Sequence, residues 1–175
     1  EVGFDSIHQS LFVVFASDDH IYDADLVYRL LAHHLPIVMP LCALRRHPYQ
    51  PSIFHETEGG FQSYSWRELH GKSGVLPIDT GGGPFAVIRR EVIEAMGQPF
   101  FEGLAGETPQ EDLFTFSKCR RAGFQPYVDL DCRIGHCLPA AVFPEQLDTG
   151  AYGVRLWAWE TFFFFPCFSN FFRFR

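Results

Sequence analysis

The sequence predicts an α/β fold with parallel strands, and three neighbouring stretches near the N-terminus carry that prediction. Residues 11–16 (LFVVFA) form a continuous apolar run rich in Val and Phe, the mark of a strand buried on both faces. Asp23 then offers an N-cap, and Leu26, Val27, Leu30, Leu31 and Leu35 recur at helical spacing until Pro36 stops the pattern, a helix of about three turns. Residues 37–44 (IVMPLCAL) read as a second buried strand interrupted by Pro40. Strand, helix and strand make a βαβ-like unit. The stretch FASDDHIY at residues 15–22 then falls at the carboxyl end of the first strand, where ligands bind in open α/β sheets.

The remaining elements follow in order. Residues 45–74 are rich in Pro, Gly, His and aromatics with little periodicity, which predicts a loop excursion holding a short hairpin around FQSYSW. Short strands are expected at 75–79 and 85–88, on either side of Thr80-Gly81-Gly82-Gly83-Pro84, whose glycines permit positive φ and close backbone approach. A short helix over 90–96 is closed by Gly97, and a longer one over 111–122 (EDLFTFSKCRRA) by Gly123. A further strand over 126–134 (PYVDLDCRI) ends at Gly135-His136. Beyond Gly150, eight of the 20 Phe residues crowd a segment with neither a 3.6 nor a 2.0 period, so 150–175 is expected to lie outside the core. Its arginines, Arg155, Arg173 and Arg175, would suit a peripheral membrane contact.

A chain of 175 residues with 47% hydrophobic and 20% charged content is sized for one domain with a substantial core. The net charge of −7 and the lack of any Lys/Arg-rich run argue against nucleic acid as the main partner. Five cysteines, odd in number and without a CxxC pair, signal neither a disulfide framework nor a zinc ribbon, and a reducing, cytoplasmic setting is expected. No apolar run has the length of a membrane span, and the N-terminal EVGFDSIHQ is unlike a secretion signal.

Three features could carry chemistry. Asp18 and Asp19, adjacent like charges after a buried strand, call for a partner, either a helix N-terminus to cap or a hard cation such as Mg²⁺ or Mn²⁺ to ligate. Glu111 and Asp112 open a helix, where the dipole keeps a carboxylate ionised and a positioned Asp can accept a proton from an attacking hydroxyl. His136 follows a strand and a glycine, and could complete a metal site begun by Asp19. The eight histidines form no HxxxH or HxH pair, so a site of histidines alone is not expected.

Taken in order, strand-DDH-Y-helix, R45-R46-x-P-Y, TGGG-x-F-x-V-I-R-R, ED-L-x-F and VDLD-x-R-I-GH resemble the glycosyltransferase family 2-like group of nucleotide-sugar enzymes, over about residues 11–136. The resemblance implies a GT-A-like, Rossmann-like mixed sheet flanked by helices, present over 1–149 without its first βαβ elements. It implies a divalent cation, Mn²⁺ or Mg²⁺, on the positions matching Ser17-Asp18-Asp19, with Asp19 as the second acidic residue, Asp18 standing in for the first, and His136 as a further ligand. It implies Asp112, with Glu111, as the base of an inverting transfer, and Thr80, Gly81, Gly82 and Gly83 as a surface for the donor sugar or acceptor. The partners would be a nucleotide-sugar donor and a saccharide, lipid or protein acceptor. The alternatives are a non-catalytic relic of that fold and a metal-dependent phosphohydrolase using the same acidic loop.

Overall fold

A computed structural model describes residues 11–82, 85–100, 111–137 and 140–158. Its centre is a five-stranded mixed sheet in the order β1-β8-β3-β9-β6. The strands are β1 (Phe12–Ala16), β8 (Phe85–Arg89), β3 (Ile37–Leu41), β9 (Pro126–Arg133) and β6 (Val75–Pro77). β3 and β9 are parallel, whereas β8 is antiparallel to both of its neighbours and β6 is antiparallel to β9. β1, β3 and β9 therefore point the same way, and their carboxyl ends lie at one end of the sheet.

Side-chain alternation along β3 explains the layering. Ile37 and Met39 face one side with Ile88 and Val128, under α2 (Arg90–Met96) and α3 (Glu111–Arg121), through Val92, Ile93, Phe116 and Cys119. Val38 faces the other side with Val87 and Ile134, under Leu26 and Leu30 of α1 (Leu26–Leu31). Each fully buried side chain of this size contributes roughly 1.5–3 kcal/mol. Helices on both faces of the sheet make the expected α/β arrangement.

Several expectations are corrected. β1, expected to be buried on both faces, is an edge strand with no fully buried residue. Phe12, Val13 and Phe15 still pack against the two core clusters, but Val14 is 42% exposed. The βαβ unit is present as β1-α1-β3 with β8 inserted between its strands. The helix spans six residues, not three turns, and Asp23 supports its start with its backbone carbonyl, which accepts the Leu26 amide at 3.0 Å. The hairpin expected around FQSYSW takes in its FQS as part of β5 (Gly60–Ser63), which pairs with β4 (Ile53–Thr57) across a turn at Glu58-Gly59, with Gly60 at φ 120°. β4 also pairs with β7 (Thr80–Gly81) in a small separate sheet.

The boundary at Gly150 moves as well. β12 (Tyr152–Ala158) pairs along its whole length with β11 (Ala140–Gln146), and Tyr152 joins the core. These two strands continue into β10 (Gly135–His136) and β2 (His20–Ile21) as a third sheet, β12-β11-β10-β2. The rest of the Phe-rich segment, 159–175, lies outside the described residues. No helix among the described residues is long and apolar enough to cross a membrane.

Candidate metal centre

The turn Asp18-Asp19 links β1 directly to β2, and the short β2–β10 ladder pairs Ile21 with Gly135 and His20 with His136. That pairing stacks the two imidazoles, with ring centroids 4.3 Å apart. The Cys137 amide donates to the Asp19 carbonyl at 2.8 Å and fixes the turn against the segment leaving β10. Gly135 is the only residue type that fits beside His136, because a Cβ there would overlap the Phe143 ring of β11.

Of the three residues the sequence predicts as ligands, Asp19, Asp18 and His136, the first and the last meet. His136 Nε2 lies 3.4 Å from Asp19 Oδ2. His136 Nδ1 is 3.1 Å from the Ala43 carbonyl, which can only accept, so Nδ1 carries a proton and the other ring nitrogen, Nε2, is the one turned toward Asp19. Arg45 Nη1 donates to Asp19 Oδ2 at 3.0 Å. Asp18 is exposed and makes no hydrogen bond or ion pair among the described residues, and Ser17 beside it is exposed too.

Two further groups, not singled out in the sequence, complete the cluster. His20, its side chain 2% exposed, has both ring nitrogens buried with no hydrogen-bond partner; Nδ1 lies 2.8 Å from Asp19 Oδ1 as a charge contact outside hydrogen-bonding geometry. Burial above all, then the neighbouring His136, pulls its pKa from 6.5 down to about 4 against the opposing pull of Asp19, so the ring is neutral at pH 7. Cys42, immediately after β3, is buried, and its thiol is pushed up to about 12 by burial and by the Asp19 charge, despite a weak bond to the Ala43 carbonyl and the nearby Arg45. One ligand atom each from His20, Cys42 and His136 lie within 4.8 Å of one another. No spacing rule in the sequence could flag His20 and Cys42, because they come from different strand ends.

One carboxylate, two imidazoles and a thiol are metal-ligand chemistry. Asp19 and His136 can hold Mn²⁺, while the sulfur and the second imidazole suit softer ions better and Mg²⁺ least. The other predicted residues sit toward the same end of the sheet. The Ser52 amide donates to the Cys42 carbonyl at 2.8 Å, and the Gly82 amide donates to the Ser52 carbonyl at 3.0 Å. Two ladder spacings therefore separate Gly82 from Cys42, on the order of 10 Å. Neither Gly81 nor Gly82 has a positive φ; close packing requires them, since a Cβ would overlap Met39 Sδ at Gly81 and Ser52 Oγ at Gly82. Thr80 is buried, and its hydroxyl donates to the Leu113 carbonyl at 2.6 Å, tying the first turn of α3 to β7. Glu111 and Asp112 begin that helix, and Gly83 lies outside the described residues.

No family model and no curated protein matches the chain. Among solved structures it is similar to A197 from STIV, with a TM-score of 0.57 and 15% identity over 95% of this chain and 75% of that one, a likeness of fold.

Proposed function

We propose that the chain is a metal-dependent glycosyltransferase, or the catalytic portion of one, that moves a sugar from a nucleotide-diphosphate donor to an acceptor hydroxyl. The observation that carries this reading is the approach of Asp19 and His136 to 3.4 Å at the carboxyl ends of β1 and β9, with Arg45 beside them. A divalent cation on Asp19 and His136 would offset the charge of the leaving diphosphate. Arg45, half exposed and already aimed at the carboxylate, is placed to take phosphate oxygens. The helix start at Glu111-Asp112, held against β7 by Thr80, is suited to a carboxylate that receives the acceptor's hydroxyl proton as the acceptor attacks the anomeric carbon.

Calorimetry with UDP and GDP tests this. Saturating Mn²⁺ is expected to permit nucleotide binding that weakens at least tenfold in EDTA and in Asp19→Ala. Equal affinity in EDTA would remove the cation's role, and no binding of either nucleotide with Mn²⁺ present would remove the sugar-transfer reading.

A further inference from the structure

We infer that His20, Cys42 and His136 form a site for a borderline transition-metal ion of the zinc class, with Asp19 as the adjoining fourth donor. The proposal goes beyond sugar transfer and does not need it, since it concerns the ion that the chain alone selects. Three observations converge. The ligand atoms of the three residues already lie within 4.8 Å of one another. Zn²⁺, with bonds of about 2.0–2.3 Å, spaces tetrahedral ligands about 3.3–3.8 Å apart, so side-chain movement of about 1 Å closes the set.

The second observation is the orphaned imidazole. A fully buried ring with no hydrogen bond on either nitrogen costs about 1–3 kcal/mol unless a ligand uses it, and His20 lies in that state against His136 and Asp19. The third is the orientation of His136. Its Nδ1–H is held by a backbone carbonyl, the outer-shell bond that metal-ligating histidines use to aim Nε2 inward. Asp19 shows the same dual support, with its backbone carbonyl held by the Cys137 amide and one carboxylate oxygen by Arg45. Thiol and imidazole together select Zn²⁺, Co²⁺ or Fe²⁺ over Mg²⁺, and Mn²⁺ stands lowest of the first-row divalent ions on such donors. The site would therefore take Mn²⁺ as a weak occupant and Zn²⁺ as a tight one.

Cobalt spectroscopy on the metal-free chain, with no nucleotide present, decides this separately from the proposed function. The chain is prepared with Cys137→Ser and Cys167→Ser, so that the thiols left outside the site are Cys119 and Cys132, both buried. Titration with Co²⁺ is expected to give one equivalent bound, with a sulfur-to-cobalt charge-transfer band in the near ultraviolet and visible bands of tetrahedral strength. Zn²⁺ should bleach both, and a thousandfold excess of Mg²⁺ should not. Cys42→Ser should lose the sulfur band, and His20→Ala should weaken Co²⁺ binding at least tenfold while leaving far-ultraviolet dichroism unchanged. Absence of a sulfur band at saturating Co²⁺, survival of that band in Cys42→Ser, or unchanged affinity in His20→Ala would each overturn the site. If Cys42→Ser fails to fold, the band in the background chain and the His20→Ala affinity still decide.

Discussion

Asp129→Ala is expected to lower stability by about 3 kcal/mol, a cost comparable to removing one partner of a buried ion pair. Asp129 is a buried carboxylate in the middle of β9. The parallel register runs Pro40↔Asp129 and then jumps to Leu41↔Arg133, so β9 carries a bulge there. The Asp129 carboxylate closes that bulge by accepting the amides of Asp131 at 2.9 Å and Cys132 at 3.2 Å, and its other oxygen sits 2.7 Å from His33 Nε2. Alanine leaves two amides and an imidazole without that acceptor, while Asp129→Asn keeps an acceptor and should cost about 1 kcal/mol.

The bulge also matters for the site. It sets where β9 leaves the sheet, so that the Ile134 amide reaches the Leu41 carbonyl and His136 reaches Ala43. Urea unfolding measures the first effect, and weaker Mn²⁺ binding by Asp129→Ala would show the second. A loss within about 0.5 kcal/mol, as for an ordinary surface change, would contradict the role given to this carboxylate.

Acid should destabilise the metal-free chain in two separate windows. Burial alone would raise the Asp129 pKa, but the bonds from His33, Cys132 and Asp131 outweigh it and hold it below 3.8. Its contribution is therefore complete above 3.8 and lost as pH falls through the lower, folded value. His20 acts earlier. Its pKa is 6.5 unfolded and about 4 folded, so between those values the unfolded chain takes up a proton that the folded one refuses. Stability is then complete above 6.5 and falls toward pH 4 by roughly 3 kcal/mol, at about 1.4 kcal/mol for each unit of difference. Urea melts at pH 7.5 and 4.5 in the presence of a chelator measure this, and His20→Phe should flatten the dependence. A wild-type chain equally stable at both values would show that His20 is not held neutral.

The apolar stretches 11–16 and 37–44 were legible as strands because burial writes hydrophobicity directly into sequence. Their neighbours were not. An apolar run records that both faces of β1 are packed, which Phe12, Val13 and Phe15 show, but not that one edge lacks a partner strand. Insertion of antiparallel β8 between β1 and β3 is a long-range pairing with no local signature. β12 escaped notice because YGVRLWA runs on toward the Phe-rich stretch that begins at Phe162, which masks its pairing with β11.

For the site, the order of motifs was enough to name Asp19 and His136 as partners across more than a hundred residues, and the fold brings them together. His20 and Cys42 were missed for a physical reason. Their convergence depends on the β2–β10 ladder and on the end of β3, and ligands drawn from separate strand ends have no characteristic spacing. The resemblance, not the residues themselves, assigned Thr80 and Gly81 to a substrate surface; the fold buries both, Thr80 bonded to α3 and Gly81 packed on Met39.

The placement of a cation beside Asp19 and His136 is tested most directly by following histidine ring resonances in NMR as Mn²⁺ is added below one equivalent. Paramagnetic broadening falls steeply with distance, so the resonances of His20 and His136 are expected to vanish first, while those of His33, His55 and His70 stay sharp. Broadening that begins at His55 or His70, or that affects all the rings equally, would contradict a metal centre at the carboxyl ends of these strands.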